Sequence, residues 1–128
     1  MSCVSRVALK QNNRYLLLQR QCANRKHFRW HLPEVPLKDS KPETVVGQLS
    51  TITGCPNTTF NVVSTIGCDN CIIFVVEHIG DQVDFTFCNN CCHGWFSIKE
   101  MYDLNKSLSD NLQESLSKLW FGSRHDLS

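Results

Sequence analysis

The 128-residue sequence has no acidic residue in its first 33 positions and none between Thr44 and Asn57. It also lacks a long apolar stretch. The longest uninterrupted run, Ile72 to Val76, is five residues, against the ~20 that a membrane-spanning helix needs. Glycine (6) and proline (4) are sparse, and no repeat or biased tract is present, which excludes collagenous, low-complexity and solenoid architectures. Arg6, Lys10 and Arg14 are spread among alternating apolar residues, so the block order of a secretory leader is missing. These absences leave a single domain over residues 1–128, expected to be intracellular, cytoplasmic or nuclear, without a membrane partner.

What is present is unevenly spread. Arg6, Lys10, Arg14, Arg20, Arg25, Lys26 and Arg29 give the first 33 residues a strong positive charge, although the whole chain sums to only +1. A basic end of this kind suits an anionic partner: nucleotide phosphates, nucleic acid or an acidic protein surface. A merely solvated basic face is the plainer alternative.

Hydrophobic periodicity predicts a mixed fold. Val4–Lys10 and Tyr15–Gln21 read as strands joined by the polar, Asn-rich turn Gln11-Asn12-Asn13-Arg14. Ser40 and Glu43 have capping-box spacing, and Pro42 fits a first helical turn. Val45, Val46, Leu49 and Ile52 then share one helical face, with Gly54 placed to close it. Thr58–Ile66 reads as a strand. Cys71–Ile79 is apolar on both faces, as a central strand is, and Gln82–Cys88 alternates, as a half-buried one does. A final helix is expected over about 109–121, burying Leu112, Leu116, Leu119 and Trp120, with Ser109, Asp110, Gln113, Glu114 and Lys118 on its polar face. Strands mixed with two helices, without regular alternation, indicate an α/β or α+β domain around a mixed sheet.

Four of the eight cysteines have informative spacing. Cys68-Asp69-Asn70-Cys71 and Cys88-Asn89-Asn90-Cys91 form two C-x2-C pairs sixteen residues apart, a zinc-ribbon type of spacing. A short C-x2-C turn lets two thiolates converge on one ion, and Zn²⁺ takes four such ligands in a tetrahedron. A hairpin about Gly80-Asp81 is expected to bring Cys71 opposite Cys88, on strands ~4.8 Å apart, and so to staple residues 68–91 with a structural zinc. Cys92 and His93 are substitute ligands for the same site. Buried free thiols, a disulfide and a redox pair compete with this reading. The absence of a leader disfavours the disulfide, and flanking strands rather than a helix disfavour the redox pair. Cys3, Cys22 and Cys55 read as small packing residues.

Several segments, in order, resemble the Nudix hydrolases. Leu16-Leu17-Leu18-Gln19-Arg20 is similar to the family's LL-x-QR strand end, and Trp30-His31-Leu32-Pro33 to the W-x-LP that leads into its Nudix box. Thr53-Gly54-Cys55 stands where the box helix ends in T-G-hydrophobic. Gly94-Trp95-Phe96-Ser97-Ile98-Lys99-Glu100-Met101 resembles the later W-hydrophobic-x-x-x-E-hydrophobic segment. The resemblance covers nearly the whole chain and implies an α/β/α sandwich around a mixed sheet.

The box departs from that family where its chemistry resides. Anchored on Gly54, its REU-x-EE stretch reads Gly47-Gln48-Leu49-Ser50-Thr51-Ile52, and Glu34 and Val35 replace the glycines after Leu-Pro. The resemblance implies cleavage of a diphosphate linkage by water, assisted by Mg²⁺ or Mn²⁺ held on carboxylates. Such hard cations need oxygen ligands, and an amide such as Gln48 supplies no charge. The expectation from sequence is therefore a protein that is not an enzyme. It would be a zinc-stabilised Nudix-fold binding or scaffolding module making protein–protein contacts in a larger intracellular complex. Two alternatives stay open. One is an RNA- or nucleotide-binding domain using the basic loop 20–30, with Arg20, Arg25, Lys26, Arg29 and Trp30 as contacts. The other is a residual nucleoside-diphosphate hydrolase, which needs carboxylates from outside the box helix. Glu34, Asp39 and Glu43 precede or open that helix, several turns from the site, and Glu77 is at most a lone ligand on a strand.

Overall fold

The computed structural model describes residues 4–20, 29–35, 41–68, 71–80 and 91–125. It contains strands β1 (Val4–Gln11), β2 (Arg14–Arg20) and β3 (Trp30–His31), helix α1 (Pro42–Thr53), strands β4 (Phe60–Cys68), β5 (Cys71–His78) and β6 (Cys91–Phe96), and helices α2 (Ile98–Leu104) and α3 (Asp110–His125). No described helix is long and apolar enough to cross a membrane.

The first hairpin forms as expected. Asn12 and Asn13 both take positive φ, 54° and 63°, the conformation a two-residue hairpin turn demands and one that asparagine tolerates. Lys10 pairs with Tyr15 and Gln11 with Arg14, and there the β1–β2 register stops. β6 pairs with β2 from Tyr15 to Arg20, while β3 pairs with Leu18 and Gln19. Two strands paired with the same residues must occupy opposite edges, so β3 continues on the edge of β2 that β1 has left. The chain then crosses to β1. Val7 N–H donates to Pro33 O at 2.9 Å, Val35 N–H donates to Ser5 O at 3.0 Å, and Arg6 bridges Glu34. Residues 30–35 thus form a wedge between β1 and β2 that supplies the backbone bonds both strands would otherwise lack.

β5 is the centre of the other half of the sheet. It runs parallel to β1 from Val4↔Cys71 to Lys10↔Glu77 and antiparallel to β4 from Cys68↔Cys71 to Phe60↔His78. This corrects the expected hairpin of Cys71–Ile79 with Gln82–Cys88. Both edges of β5 are already occupied, and its hairpin partner is β4. Residues 81–90 themselves lie outside the described residues.

The double apolar face of β5 has its counterpart in two cores. Val7, Leu9, Leu16, Leu18, Phe74 and Val76 pack with Val45 and Leu49 of α1 on one face. Ala8, Tyr15, Leu17, Ile73 and Val75 pack with Met101, Leu112, Leu116 and Leu119 of α2 and α3 on the other. The result is a three-layer α/β/α sandwich with a mixed sheet, the fold class expected from sequence.

Two helix ends differ from expectation. α1 begins after Lys41, whose side chain makes no cap bond, and the expected cap Ser40 lies outside the described residues. Its end is as expected, with Gly54 left-handed at φ 77° and its N–H donating to Ser50 O. The β-branched last turn satisfies its own hydroxyls, Thr51 Oγ1 donating to Gly47 O and Thr53 Oγ1 to Leu49 O. A true capping box occurs instead at α2, where Ser97 and Glu100 bond reciprocally.

Candidate functional site

The sequence placed its candidate ligand contacts in the basic loop, and the structure distributes the described ones differently. Arg20 closes β2 opposite Cys91 of β6. Arg25 and Lys26 lie outside the described residues. Arg29 donates through Nη1 to Asp110 Oδ1 at 2.7 Å, tying the start of the wedge to the first turn of α3. Both of those side chains are well exposed, so the pair is a solvated clamp. Trp30 is half-buried and meets Phe96 edge-on, with ring centroids 4.9 Å apart. Its backbone carbonyl accepts from Ser109 N–H. It packs against the α2/α3 core.

The described members of the two cysteine pairs lie on β4, β5 and β6. Cys68 and Cys71 are register partners at the end of the β4–β5 pair. Cys88 lies outside the described residues, and Cys91 begins β6. β1 and β2 stand between β5 and β6 in the sheet, so strand pairing alone does not bring the two pairs together. Cys92 is exposed opposite Gln19, and His93 stands opposite Leu18. Cys55 packs partly buried against the α1-side core, as expected.

Two polar pairs were not found from sequence. Gln11 and His78 are buried register neighbours, His78 Nδ1 lying 2.9 Å from Gln11 Oε1 beneath the tilted ring of Phe60. Burial pushes the His78 pKa below its ordinary value. The second pair joins Arg6 to Glu34, with Nη2 to Oε1 at 3.1 Å. The Arg6 side chain is 14% exposed and Glu34 56%, and the buried Arg6 Nε has no hydrogen-bond partner among the described residues. Glu34 is the residue standing where the family resemblance expects glycine. No sequence signal links either pair, because each depends on strands brought together from distant parts of the chain.

The acidic residues were tested against the divalent metal that the resemblance implies. α1 carries one acid, Glu43, in its first turn, and Glu77 is on β5 opposite Lys10. Among the described residues no three His, Cys, Asp or Glu side chains group as metal ligands. The described residues therefore do not fit a hard cation held by carboxylates.

No family model matches the sequence, and no curated protein is significantly similar to it. Solved structures are similar in fold along nearly the whole chain. A Nudix hydrolase from M. smegmatis superposes with a TM-score of 0.66 at 14% identity, covering 97% of this chain and 86% of that one. A NUDIX hydrolase from Nitrosomonas europaea gives 0.64 at 13%, covering 96% and 90%. The NUDIX domain of NrtR from Shewanella oneidensis, complexed with ADP-ribose, gives 0.60 at 17%, covering 100% and 89%.

The expectation that the chain is not an enzyme is overturned by this comparison, because proteins sharing its architecture from end to end are hydrolases. That expectation rested on the composition of one helix. At these identities the likeness establishes the fold: the chain has a Nudix-like fold.

Proposed function

We propose that this domain binds a nucleoside diphosphate derivative, with the diphosphate as the group it recognises. The observation that carries the reading is the end-to-end likeness to Nudix-fold proteins, one of which holds ADP-ribose, in a chain whose first 33 residues are basic without a single acid. Permanently charged guanidinium groups suit phosphate oxygens in number and geometry. Hydrolysis of the diphosphate linkage is the activity such a ligand would undergo in a Nudix hydrolase. The test is calorimetric titration with ADP-ribose, followed by phosphate and nucleotide release in the presence and absence of Mg²⁺ or Mn²⁺. Saturable binding that weakens steeply with salt is expected. Absence of binding to ADP-ribose and to other nucleoside diphosphate derivatives would remove the reading.

A structural zinc is a second proposal, favoured by one observation. Cys68 and Cys71 are register partners flanking residues 69 and 70, a backbone placement from which a C-x2-C pair shares one ion. Cys88 and Cys91 would complete the four ligands. Metal analysis of the purified protein is expected to find one zinc per chain, lost in Cys68→Ser. Zinc-free protein, or a Cys68→Ser variant with unchanged content, would end the proposal.

A further inference from the structure

The Arg6–Glu34 pair is unequal in a way that ordinary structural ion pairs are not. A guanidinium presents five N–H donors in a rigid fork, and its charge cannot be titrated away. Among the described residues the fork makes one contact to a carboxylate, and its buried Nε finds no acceptor. A buried donor left unmade is costly, more so on a charged group. The compensating anion is largely in solvent while the cation is largely out of it. Glu34 therefore uses only part of what Arg6 offers.

The backbone holds this pair in place from both sides. Arg6 and Glu34 are antiparallel bridge partners, and the bonds Val7 N–H to Pro33 O and Val35 N–H to Ser5 O flank them. Directly opposed residues project on the same face of a sheet. The Arg6 backbone has no freedom to leave, whereas the exposed Glu34 carboxylate can swing into water.

We propose that Arg6 is an anion subsite that takes a phosphate group of the ligand, and that Glu34 is its resident competitor. A phosphate presents several oxygens to the fork and can satisfy Nε and Nη2 together, which the single Glu34 contact does not. Binding then displaces Glu34 into solvent. The inference rests on the proposed nucleoside diphosphate ligand for the identity of the phosphate's carrier, but the subsite itself is a property of the two side chains.

The pair gives effects of opposite sign, which a purely structural ion pair does not. Titrations with ADP-ribose and with inorganic pyrophosphate are made on the wild type, Arg6→Lys, Arg6→Met and Glu34→Gln. Arg6→Met is expected to weaken both ligands about tenfold or more, since contacts to a charged donor are lost. Arg6→Lys, which keeps the charge without the fork, falls between. Glu34→Gln is expected to tighten both ligands severalfold while leaving the thermal midpoint unchanged or lower. If Arg6→Met does not fold, Glu34→Gln alone decides. Wild-type binding of both ligands that is indifferent to Arg6 and Glu34 would overturn the subsite and leave the proposed function standing. Binding of pyrophosphate but of neither ADP-ribose nor other nucleoside diphosphate derivatives, with the same dependence on the pair, would keep the subsite and remove the proposed function. Failure of the wild type to bind either ligand overturns both.

Discussion

β5 and the wedge formed by residues 30–35 adjoin the same strand, β1, and are built on opposite principles. β5 is eight residues long, paired on both edges and buried on both faces, with Ile73, Phe74 and Val76 essentially inaccessible. The wedge contains two residues of strand. It takes its remaining hydrogen bonds piecemeal from β2, β1 and the chain before α3. β5 is stabilised by apolar area removed from water, and its one acid, Glu77, stands near the strand end. The wedge also buries Leu32 and Val35, but Glu34 within it and Arg29 just before it make the two ion pairs among the described residues. Stability is concentrated in one region and charge chemistry in the other.

The comparison predicts a graded set of effects. The largest is in β5, where Phe74→Ala removes a ring that is 1% exposed and is expected to cost about 3–5 kcal/mol in denaturant unfolding. A cost below about 1 kcal/mol would mean that the two-sided core is not what holds this half together. At the end of β1, Gln11→Ala removes one hydrogen-bond partner of the buried His78 that ends β5 and is expected to cost about 1–3 kcal/mol.

His78 adds a pH dependence whose sign is fixed by burial. Its folded pKa is lowered, so the unfolded chain takes up the proton first as pH falls below about 6.5. Stability should therefore be full above that pH and decline on acidification towards the lower folded pKa. Thermal midpoints between pH 8 and pH 5 check this, and a His78→Gln variant should have a shallower slope. A slope unchanged by that substitution would place the acid sensitivity elsewhere.

Smaller effects are expected where side chains remain in water. Ser97→Ala, which removes one half of the α2 capping box, should cost about 1 kcal/mol. Loss of the exposed Arg29–Asp110 clamp by Asp110→Ala should change stability by no more than about 1 kcal/mol. A loss from Asp110→Ala as large as that from Phe74→Ala would erase the distinction between the two regions.

Legibility in sequence followed the same division. The β1–β2 hairpin, β4, β5, α1 with its Gly54 stop, and α3 were readable because each has a local periodicity or a residue that only one backbone conformation suits. β6 was not, since Cys91–Phe96 has neither alternation nor turn punctuation and becomes a strand by lying along β2. The partner of β5 was misread for a related reason. An apolar strand states that both faces are buried, but not which neighbour fills each edge. The short helix α2 was missed because its signal is a cap, Ser97 with Glu100, rather than a stripe.

The candidate site was less readable than the fold. Trp30 and Arg29 looked alike as contacts for an anionic ligand, yet one packs on Phe96 and the other is bound to Asp110. Arg6 was visible only as one charge among many. Its distinction, a buried fork with a spare donor beside an exposed acid, exists only once the wedge is inserted.

The sequence by itself determined the mixed α/β class, the apolar core strands, the basic N-terminal quarter and the acid-free stretch of α1. These follow from local composition and from periods of two and 3.6 residues, which need no knowledge of distant partners. Tertiary structure decided which strands pair, that Cys68 and Cys71 are register partners, and that Arg6 meets Glu34. Those facts depend on contacts between remote segments, and edge-to-edge hydrogen bonding is the same for any backbone, so the side-chain pattern cannot encode the choice locally.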